Sequence, residues 1–514
     1  MIYDNTPVLV ACAQITDKSN DPSGPTPIEL MTRAALAAEA DSGVATLLSQ
    51  VDSIACTGLT VDEESVSNPL SGSFSNVPKS VANQLGISPQ NLYYSTTGGN
   101  TPQQMVHHFA QKLAQGECET VMICGGEALH TMRKKFDHWS KVLLPKGKWR
   151  EKPGGQATML GKPRACGTKH EALYDLNLPA NVYPLFENAL RIHYQRTQAE
   201  HHAAMGEIFS SLTQVAAGNP NAWFNDTKAA SELITPSSEN RMIAFPYTKY
   251  LNSMIYVNQA AAVILTTVAK AKALGIDSDR FVYLHGFADT YDIWNVSERE
   301  NYHSSPGMRD AGKRAMSMAN TDIDSMGFFD IYSCFPSAVQ IACDEFGLSQ
   351  QDSRGLSLTG GLPYFGGAGN SYSLLAIAQM MDVLRENPGE FGLLNANGWF
   401  LTKHSVGIYS TREPQMDWRA TASTSLPTEV AADKAPEFIE QAQGPAQLET
   451  FTVIHDKMGN PKKGIMFGRL DNQQRFLAEV AGGVQALESL MNNDDFTIRG
   501  HVETIKRINR FTVD

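Results

Sequence analysis

Residues 92–103 read LYYSTTGGNTPQ and mark the point where a strand passes into a helix. The first four residues are of β-forming type, and the next five are rich in hydroxyl side chains and glycine. Pro102 suits the first turn of a helix, which we predict for residues 101–114, and a further strand is predicted for residues 120–124. A strand, a helix and a second strand in this order indicate a βαβ unit on a largely parallel sheet.

The same alternation of strands and helices occurs on both sides of residues 129–251, where prolines, tryptophans and histidines interrupt it. One long helix is predicted inside this insertion, at residues 184–217. Two stretches of similar rhythm indicate a duplicated α/β fold. The other predicted strands are 8–15, 51–59, 260–267, 281–288, 328–333, 392–395 and 405–410, and the other helices are 25–40, 77–85, 268–274, 306–319, 336–346 and 371–384.

The C-terminal part of the chain has a different pattern. Residues 417–445 contain few large apolar side chains and are typical of a connecting segment. The residues after them contain short strands, which predict a small antiparallel β-barrel, OB-like in type. The predicted boundaries are 1–270 for an N-terminal half that includes the insertion 129–251, 271–413 for a C-terminal half, 414–447 for a linker and 448–514 for the barrel.

The composition excludes several classes of protein. The chain has 514 residues, of which 42% are hydrophobic and 19% charged, as in globular domains. A net charge of −12 argues against a nucleic-acid partner or an anionic membrane surface, since both favour basic proteins. No apolar stretch reaches the ~18 residues of a membrane span, and no signal peptide is visible. Seven cysteines without a CxxC pair indicate reduced thiols and a cytoplasmic location.

Four junctions between a predicted strand and the next element carry side chains suited to chemistry, and active sites of α/β sheets lie at such junctions. The first is the turn after Ser95, at a helix N-terminus that suits a nucleophile or an oxyanion. The second contains Tyr332 and Cys334, which are two residues apart in an extended segment and therefore expected on one face. The third is a glycine-rich loop, residues 360–370, and the fourth places His404 at the start of a strand. Each also has a structural interpretation, as a helix cap, a turn, a core thiol or a structural histidine.

In this order and with this spacing, the four junctions resemble those of the thiolase superfamily over residues 1–413. The resemblance is strongest to sterol-carrier-protein-type thiolases and to the thiolase-like proteins of type 1, which carry an additional C-terminal β-domain. Residues 98–103 (GGNTPQ), 244–249 (AFPYTK) and 257–262 (VNQAAA) support it. The resemblance implies a five-layer αβαβα core, CoA thioesters as substrate or ligand, and an insertion that receives coenzyme A.

The resemblance fails at two residues that thiolysis requires. A thiolase has its nucleophilic cysteine where this chain has Ser95, and its activating histidine where this chain has Gly367, after Gly366. The cysteine of the sterol-carrier His-Asp-Cys-Phe block remains as Cys334, and the late histidine remains as His404. Because a serine needs an adjacent base to act as a nucleophile, ordinary acetoacetyl-CoA thiolysis is not expected.

Three functions remain open at this stage. The first is an acyltransferase, acetyl-CoA acetyltransferase-like, in which Cys334 works with His404 or Tyr332 and Ser95 completes the catalytic set. The second is a lyase similar to thiolase-fold retro-aldolases, with Tyr332 as the acid or base. The third is a non-catalytic protein that binds CoA thioesters or serves as a scaffold.

The insertion also contains a candidate site for the phosphates of coenzyme A. Residues 133–152 hold eight basic and two acidic residues, a local charge of +6 in an acidic protein. Arg133 and Lys134, together with Gly366 and Gly367, are therefore predicted to bind the coenzyme, while a solvated charged face is the alternative. No P-loop, dinucleotide fingerprint or metal-ligand cluster is visible, so neither a metal nor a covalently bound cofactor is expected. The predicted partner is a small-molecule acyl-CoA, and the chain is expected to be a monomer or a homodimer.

Overall fold

The computed structural model describes residues 4–21, 23–62, 74–137, 151–415, 418, 427–431 and 434–514, with the backbone alone for 135–137. Its strands are β1 (Pro7–Thr16), β2 (Ser53–Cys56), β3 (Asn91–Ser95), β4 (Thr120–Ala128), β5 (Thr158–Leu160), β6 (Met242–Ala244), β7 (Tyr247–Thr248), β8 (Asn258–Thr267), β9 (Tyr283–Tyr291), β10 (Met326–Ile331), β11 (Phe391–Gly398), β12 (Lys403–Ser410), β13 (Thr428–Glu429), β14 (Gly444–His455), β15 (Pro461–Leu470), β16 (Arg475–Val480), β17 (Arg499–Ile505) and β18 (Ile508–Val513). Its α-helices are α1 (Pro27–Ser42), α2 (Val77–Leu85), α3 (Thr101–Gln115), α4 (Leu129–Asp137), α5 (Lys169–Leu173), α6 (Pro179–His193), α7 (Gln198–Gly218), α8 (Ala230–Ile234), α9 (Val268–Ala273), α10 (Pro306–Ala319), α11 (Pro336–Phe346), α12 (Tyr372–Glu386) and α13 (Gly483–Met491).

Two mixed sheets form the α/β core. The first has the strand order β1-β8-β4-β2-β3-β5, in which β2 to β5 run parallel and β8 is antiparallel to both of its neighbours. The second has the order β10-β11-β12-β9-β13, with β12 antiparallel to β11 and to β9. The prediction of a largely parallel sheet is wrong at these central strands, because the order of elements along a chain does not reveal which strands become neighbours.

The layers of the core confirm the predicted αβαβα arrangement. α3 and α12 lie between the two sheets, α1 covers the outer face of the first sheet, and α10 covers the outer face of the second with α11 beside it. α12 is buried on nearly all sides, as a helix between two sheets must be. None of the helices in the described part of the chain is both long and apolar enough to cross a bilayer.

The C-terminal strands β14 to β18 close into a five-stranded barrel over residues 444–513. The hairpin of β6 and β7, which comes from the insertion, extends the barrel sheet, and the Phe245 N–H donates to the Val453 carbonyl at 2.9 Å. Arg475 of β16 is fully buried and reaches Glu449 within the barrel and the Glu300 carbonyl of the core. The barrel therefore contacts the insertion and the C-terminal half of the core.

Two predicted elements differ from the structure. The single helix expected at residues 184–217 is two helices, α6 and α7, because Gln195 takes a φ of +54° and Thr197 caps α7. The cap is reciprocal, with the Thr197 hydroxyl accepting from the Glu200 N–H and the Glu200 carboxylate accepting from the Thr197 N–H, and this Thr-x-x-Glu pattern was readable in the sequence. The second difference is α13, which lies where only strands were predicted.

Three histidines make the stability of the fold dependent on pH. Burial, helped by neighbouring positive charge, lowers the pKa of His202, His285 and His303 to about 4. Below the unfolded value of ~6.5 the unfolded chain binds protons that the native chain does not, so stability is lost as the pH falls from 6.5 towards 4. We expect a loss on the order of 1–2 kcal/mol per histidine at pH 5, measured as the free energy of unfolding in urea.

A matched pair of variants tests this assignment. His285→Gln keeps a donor for the Arg412 carbonyl, which His285 Nε2 contacts at 2.8 Å, but removes the titrating group. It should flatten the pH dependence between pH 7 and 5, whereas His501→Gln, at an exposed barrel position, should leave it unchanged. Equal pH dependence in the His285→Gln variant and the unaltered protein would show that His285 does not contribute.

Candidate active site

The hydroxyl of Ser95 lies at the end of β3, where the thiolase nucleophile is expected, but it is held by the backbone. Its Oγ accepts from the Gly58 N–H at 3.0 Å and donates to the Thr96 carbonyl at 3.0 Å. Asn370 joins the same turn from the opposite half of the core, since its side chain accepts from the Gly98 N–H at 2.7 Å and donates to the Gly58 carbonyl at 2.9 Å. Neither hydrogen bond of Ser95 leads to a side-chain base, so this serine is not activated as a nucleophile.

The phenol of Tyr332 contacts the turn after Ser95 at Gly99. A side-chain carbon added to Gly99 would collide with the Tyr332 hydroxyl, so only glycine lets the phenol approach the start of α3. The ring packs edge-on against Tyr372, with the ring centroids 5.4 Å apart. Burial is the main cause that raises the pKa of Tyr332 well above its usual value, and the charge that Cys334 carries when it ionises adds to it, so the phenol keeps its proton at neutral pH.

Cys334 lies, like Tyr332, in the segment between β10 and α11. β10 ends at Ile331 and the chain bends before α11, so both residues follow the strand and do not extend it, and the charge of Cys334 still acts on the pKa of Tyr332. The Asn397 side-chain amide donates to Cys334 Sγ at 3.9 Å, and the Asn397 side-chain oxygen accepts from the Tyr183 hydroxyl at 3.2 Å. Burial raises the pKa of the Cys334 thiol to about 12, so it is a protonated thiol at neutral pH.

His404 belongs to a separate buried pair with Asp292. Its Nε2 lies 2.9 Å from Asp292 Oδ2, 3.1 Å from Ser305 Oγ and 3.2 Å from the Leu401 carbonyl. Burial alone would raise the pKa of Asp292, but the hydrogen bond and charge of His404 and the charge of Arg299 bring it below its usual value. Within the described chain the polar contacts of His404 are with Asp292, Ser305 and the Leu401 carbonyl. The predicted partnership of His404 with Cys334 is therefore not formed.

The residue beside His404 is the one that reaches the turn after Ser95. Side chains alternate along β12, and Lys403 points its amine towards α3, where Nζ donates to the Thr97 carbonyl at 2.6 Å. A side-chain carbon added to Gly98 would lie 2.6 Å from Lys403 Nζ. Sequence reasoning missed Lys403 because it selected the histidine, although the alternation of a strand allows only one of two neighbours to face the turn.

The glycine-rich loop leaves space where the resemblance would place the activating histidine. A side-chain carbon at Gly366 would collide with the Gln259 side chain, whereas at Gly367 the nearest atoms would be 3.5 Å away. The Gly367 N–H donates to the Met254 carbonyl at 2.8 Å, which ties the loop to residues 254–256. The loop is therefore held by backbone hydrogen bonds. At Gly367 it leaves free space where a thiolase has a histidine that acts as a base.

An exposed apolar and basic surface lies next to this loop. Phe224, Ile255 and Tyr256 are 39–43% exposed, and the Arg133 guanidinium lies over the Tyr256 ring at 4.6 Å. The Phe224 N–H donates to the Tyr364 carbonyl at 3.0 Å, which places it on the loop. We call Arg133, Phe224, Ile255 and Tyr256 the mouth. Lys134 follows Arg133 on α4, and most of the remaining basic run, residues 138–150, lies outside the described residues.

Comparisons with known proteins show which family this chain belongs to. The family model for the thiolase-like protein type 1 additional C-terminal domain matches residues 425–506. The crystal structure of a monomeric SCP2-thiolase like protein type 1 from Mycobacterium smegmatis is similar to this chain, with 32% identity, a TM-score of 0.82 and coverage of 100% of both chains. Among curated protein sequences no significant match is found.

Two more distant structures share the fold alone. A Ltp2-ChsH2(DUF35) aldolase has 16% identity and a TM-score of 0.57, covering 79% of this chain and 98% of that one. An acetyl-CoA acetyltransferase from Syntrophomonas wolfei has 12% identity and a TM-score of 0.55, covering 80% of this chain and 100% of that one.

Proposed function

Because this chain belongs to the SCP2-thiolase-like proteins of type 1, we propose that it binds coenzyme A thioesters and acts on their acyl group without forming an acyl-enzyme. One observation carries the proposal. The hydroxyl of Ser95, at the position of the expected nucleophile, is hydrogen-bonded to the backbone, while the protonated phenol of Tyr332 contacts the start of α3. The site thus offers hydrogen-bond donors in place of a nucleophile and base.

The four residues of the mouth support the proposal that coenzyme A binds beside the glycine-rich loop. Arg133 stacks on Tyr256, and Lys134 follows it, so cationic and aromatic side chains stand together next to Gly366 and Gly367. Guanidinium and ammonium groups bind phosphates, and exposed aromatic and aliphatic side chains cover an adenine or a pantetheine arm. The predicted coenzyme-binding residues are therefore retained in this proposal.

The chemistry that this set of donors supports best is carbon–carbon cleavage of a 3-hydroxyacyl thioester. The hydroxyl proton passes to solvent water as the C2–C3 bond breaks, C3 becomes a carbonyl, and the electron pair of the broken bond passes through C2 to the thioester oxygen as an enolate. Tyr332 is suited to stabilise that oxygen and to return a proton to C2, because its phenol is neutral. The retro-aldolase-type alternative is thus preferred to the acyltransferase.

Acyl transfer through Cys334 is the second candidate. Cys334 lies just ahead of α11, whose N-terminus stabilises negative charge, and its Sγ accepts from the Asn397 amide. It ranks second because the raised pKa of the thiol leaves little thiolate at neutral pH and His404 is engaged with Asp292.

A panel of CoA thioesters tests these functions. We expect the melting temperature of the full chain to rise with CoA thioesters, a 3-hydroxyacyl-CoA to be cleaved without a covalent adduct, and acetoacetyl-CoA to resist thiolysis. Arg133→Glu should weaken binding at least tenfold, whereas Arg510→Glu, on an exposed barrel side chain, is the charge-matched control.

Each other outcome has a defined meaning. An acyl adduct on Cys334 or Ser95, detected by mass spectrometry of the intact protein, would support acyl transfer and contradict the lyase. Binding without turnover of any thioester would support a scaffold and contradict both reactions. Failure of every CoA thioester to bind would contradict the proposal as a whole.

A further inference from the structure

One residue of the glycine-rich loop is a glycine that the fold itself does not require. Four other glycines of the loop have left-handed φ values from +50° to +119°, and a side-chain carbon on any of them would collide with a neighbouring atom; they are Gly360, Gly361, Gly366 and Gly369. Gly367 is buried, its φ lies outside the left-handed region, and a carbon added to it would meet its nearest described atoms at 3.5 Å. Because glycine costs conformational entropy where alanine fits, the packing of the chain gives no reason for a glycine here.

The space beside Gly367 is large enough for a methyl group and mostly apolar. A carbon placed there would lie 3.5 Å from the Ser253 side-chain carbon, 3.6 Å from a Leu362 methyl carbon and 3.5 Å from the Met254 carbonyl oxygen. These are ordinary van der Waals distances, so no neighbour has to move. The Met254 carbonyl already accepts from the Gly367 N–H at 2.8 Å. Since the other two nearest described atoms are carbons, the space suits a hydrocarbon group.

The segment 253–256 connects this space to both ends of the site. At one end the Ser253 hydroxyl donates to the Cys334 carbonyl at 2.9 Å. At the other end Ile255 and Tyr256 belong to the mouth, where coenzyme A is proposed to bind. The space therefore lies between the mouth and the segment that carries Cys334, where the acyl end of a bound thioester is expected.

We propose that this space, which we call the notch and which Ser253, Met254 and Leu362 line at Gly367, receives a methyl branch of the substrate and selects CoA thioesters with a branched acyl group. This inference rests on the proposed function and names its substrate class. A branch that fills the notch loses contact with water and gains contacts with the protein, whereas a straight chain leaves the notch empty. Gly367 acts by shape alone and takes no part in making or breaking a bond.

Binding of four thioesters to the full chain, measured by calorimetric titration, tests the notch. Butyryl-CoA is the parent compound, 2-methylbutyryl-CoA and 3-methylbutyryl-CoA add a methyl branch at C2 or C3, and valeryl-CoA adds the same carbon at the end of the chain. We expect one of the branched thioesters to bind about fourfold more tightly than valeryl-CoA, which is the factor that one buried CH₂ group contributes. The branched thioester that binds more tightly shows whether C2 or C3 lies at the notch.

A pair of glycine variants tests whether Gly367 is responsible. Gly367→Ala fills the notch with one carbon, so it should abolish the preference for the branched thioester and leave the affinity for valeryl-CoA unchanged. Gly218→Ala is the matched control, because Gly218 is exposed at the end of α7 and a carbon added there would contact no described atom within 4 Å. It should change no affinity. Neither variant should lower the melting temperature, since alanine fits both positions without strain.

The results that overturn the notch differ from the one that overturns the proposed function. Equal affinity of the unaltered protein for valeryl-CoA and both branched thioesters, or an unchanged preference in Gly367→Ala, would remove the notch and leave thioester binding intact. A melting temperature of Gly367→Ala several degrees below that of Gly218→Ala would show that the space is not there, and would also remove the notch. Failure of the unaltered protein to bind any of the four thioesters would instead remove the proposed function.

Discussion

Arg475→Met should destabilise the chain by about 3–5 kcal/mol, because it removes the fully buried cation beside the Glu449 carboxylate and leaves main-chain carbonyls without their donor. The guanidinium is fully buried, and two of its nitrogens donate to the Glu449 carboxylate at 2.6 and 2.8 Å. The same group donates to the carbonyls of Ser297 and Glu300 at 3.4 and 3.0 Å and lies over the Tyr302 ring at 4.7 Å. Arg475 is thus one of the side chains that connect the barrel to the core.

The chain provides a matched control for this prediction. Arg469 binds the same carboxylate with two contacts of 3.0 Å, but its side chain is 24% exposed, so Arg469→Met should cost only about 1 kcal/mol. Glu449→Gln should restore part of the stability lost in Arg475→Met, since it removes a mostly buried charge that has lost one of its two arginine partners. Urea unfolding gives the free energies, and hydrogen exchange of β14 and β16 locates the loss. Equal losses for the two arginine variants would show that burial of Arg475 has no special effect.

Much of the fold was predictable because its signals are local. Three such signals each depend on residues within one element. They are Gly86 at the end of α2, Pro102 in the first turn of α3 and the apolar run of β8. The antiparallel placement of β8 and β12 was not predictable, since it depends on strands far apart in the sequence. The break between α6 and α7 was local and readable, as the Thr197–Glu200 cap shows.

The site was predictable in position but not in the direction of its side chains. The four junctions carry the polar groups described above, and the contact of Tyr332 with the turn after Ser95 is visible only in the structure. Cys334 lies beside Asn397, and His404 faces Asp292 because β12 places its neighbour Lys403 towards α3. Such directions depend on where a strand ends, and a shift of one residue reverses them.

Tyr332→Phe should lower the turnover of a 3-hydroxyacyl-CoA by 10²–10⁴-fold, the usual contribution of a positioned general acid. The ring would keep its packing on Tyr372, and the affinity for a neutral acyl-CoA should stay the same, because only the hydroxyl is lost. Since burial holds the pKa of the phenol well above its usual value, the acid form persists and turnover should not rise with pH between 6 and 9 on account of this group. Steady-state kinetics over that range measure both effects.

Tyr364→Phe is the matched control for Tyr332→Phe, because it removes the same atom from a buried tyrosine of the glycine-rich loop. The Tyr364 hydroxyl is buried and has no partner among the described atoms, and its ring packs against Phe209, with centroids 6.2 Å apart. Loss of an unsatisfied hydroxyl should leave both turnover and stability unchanged or slightly improved. If the two variants lost activity equally, the effect would come from the loop and not from an acid at Tyr332. If turnover in the unaltered protein rose tenfold per pH unit, the phenolate would be the active form, and Tyr332 would be a base.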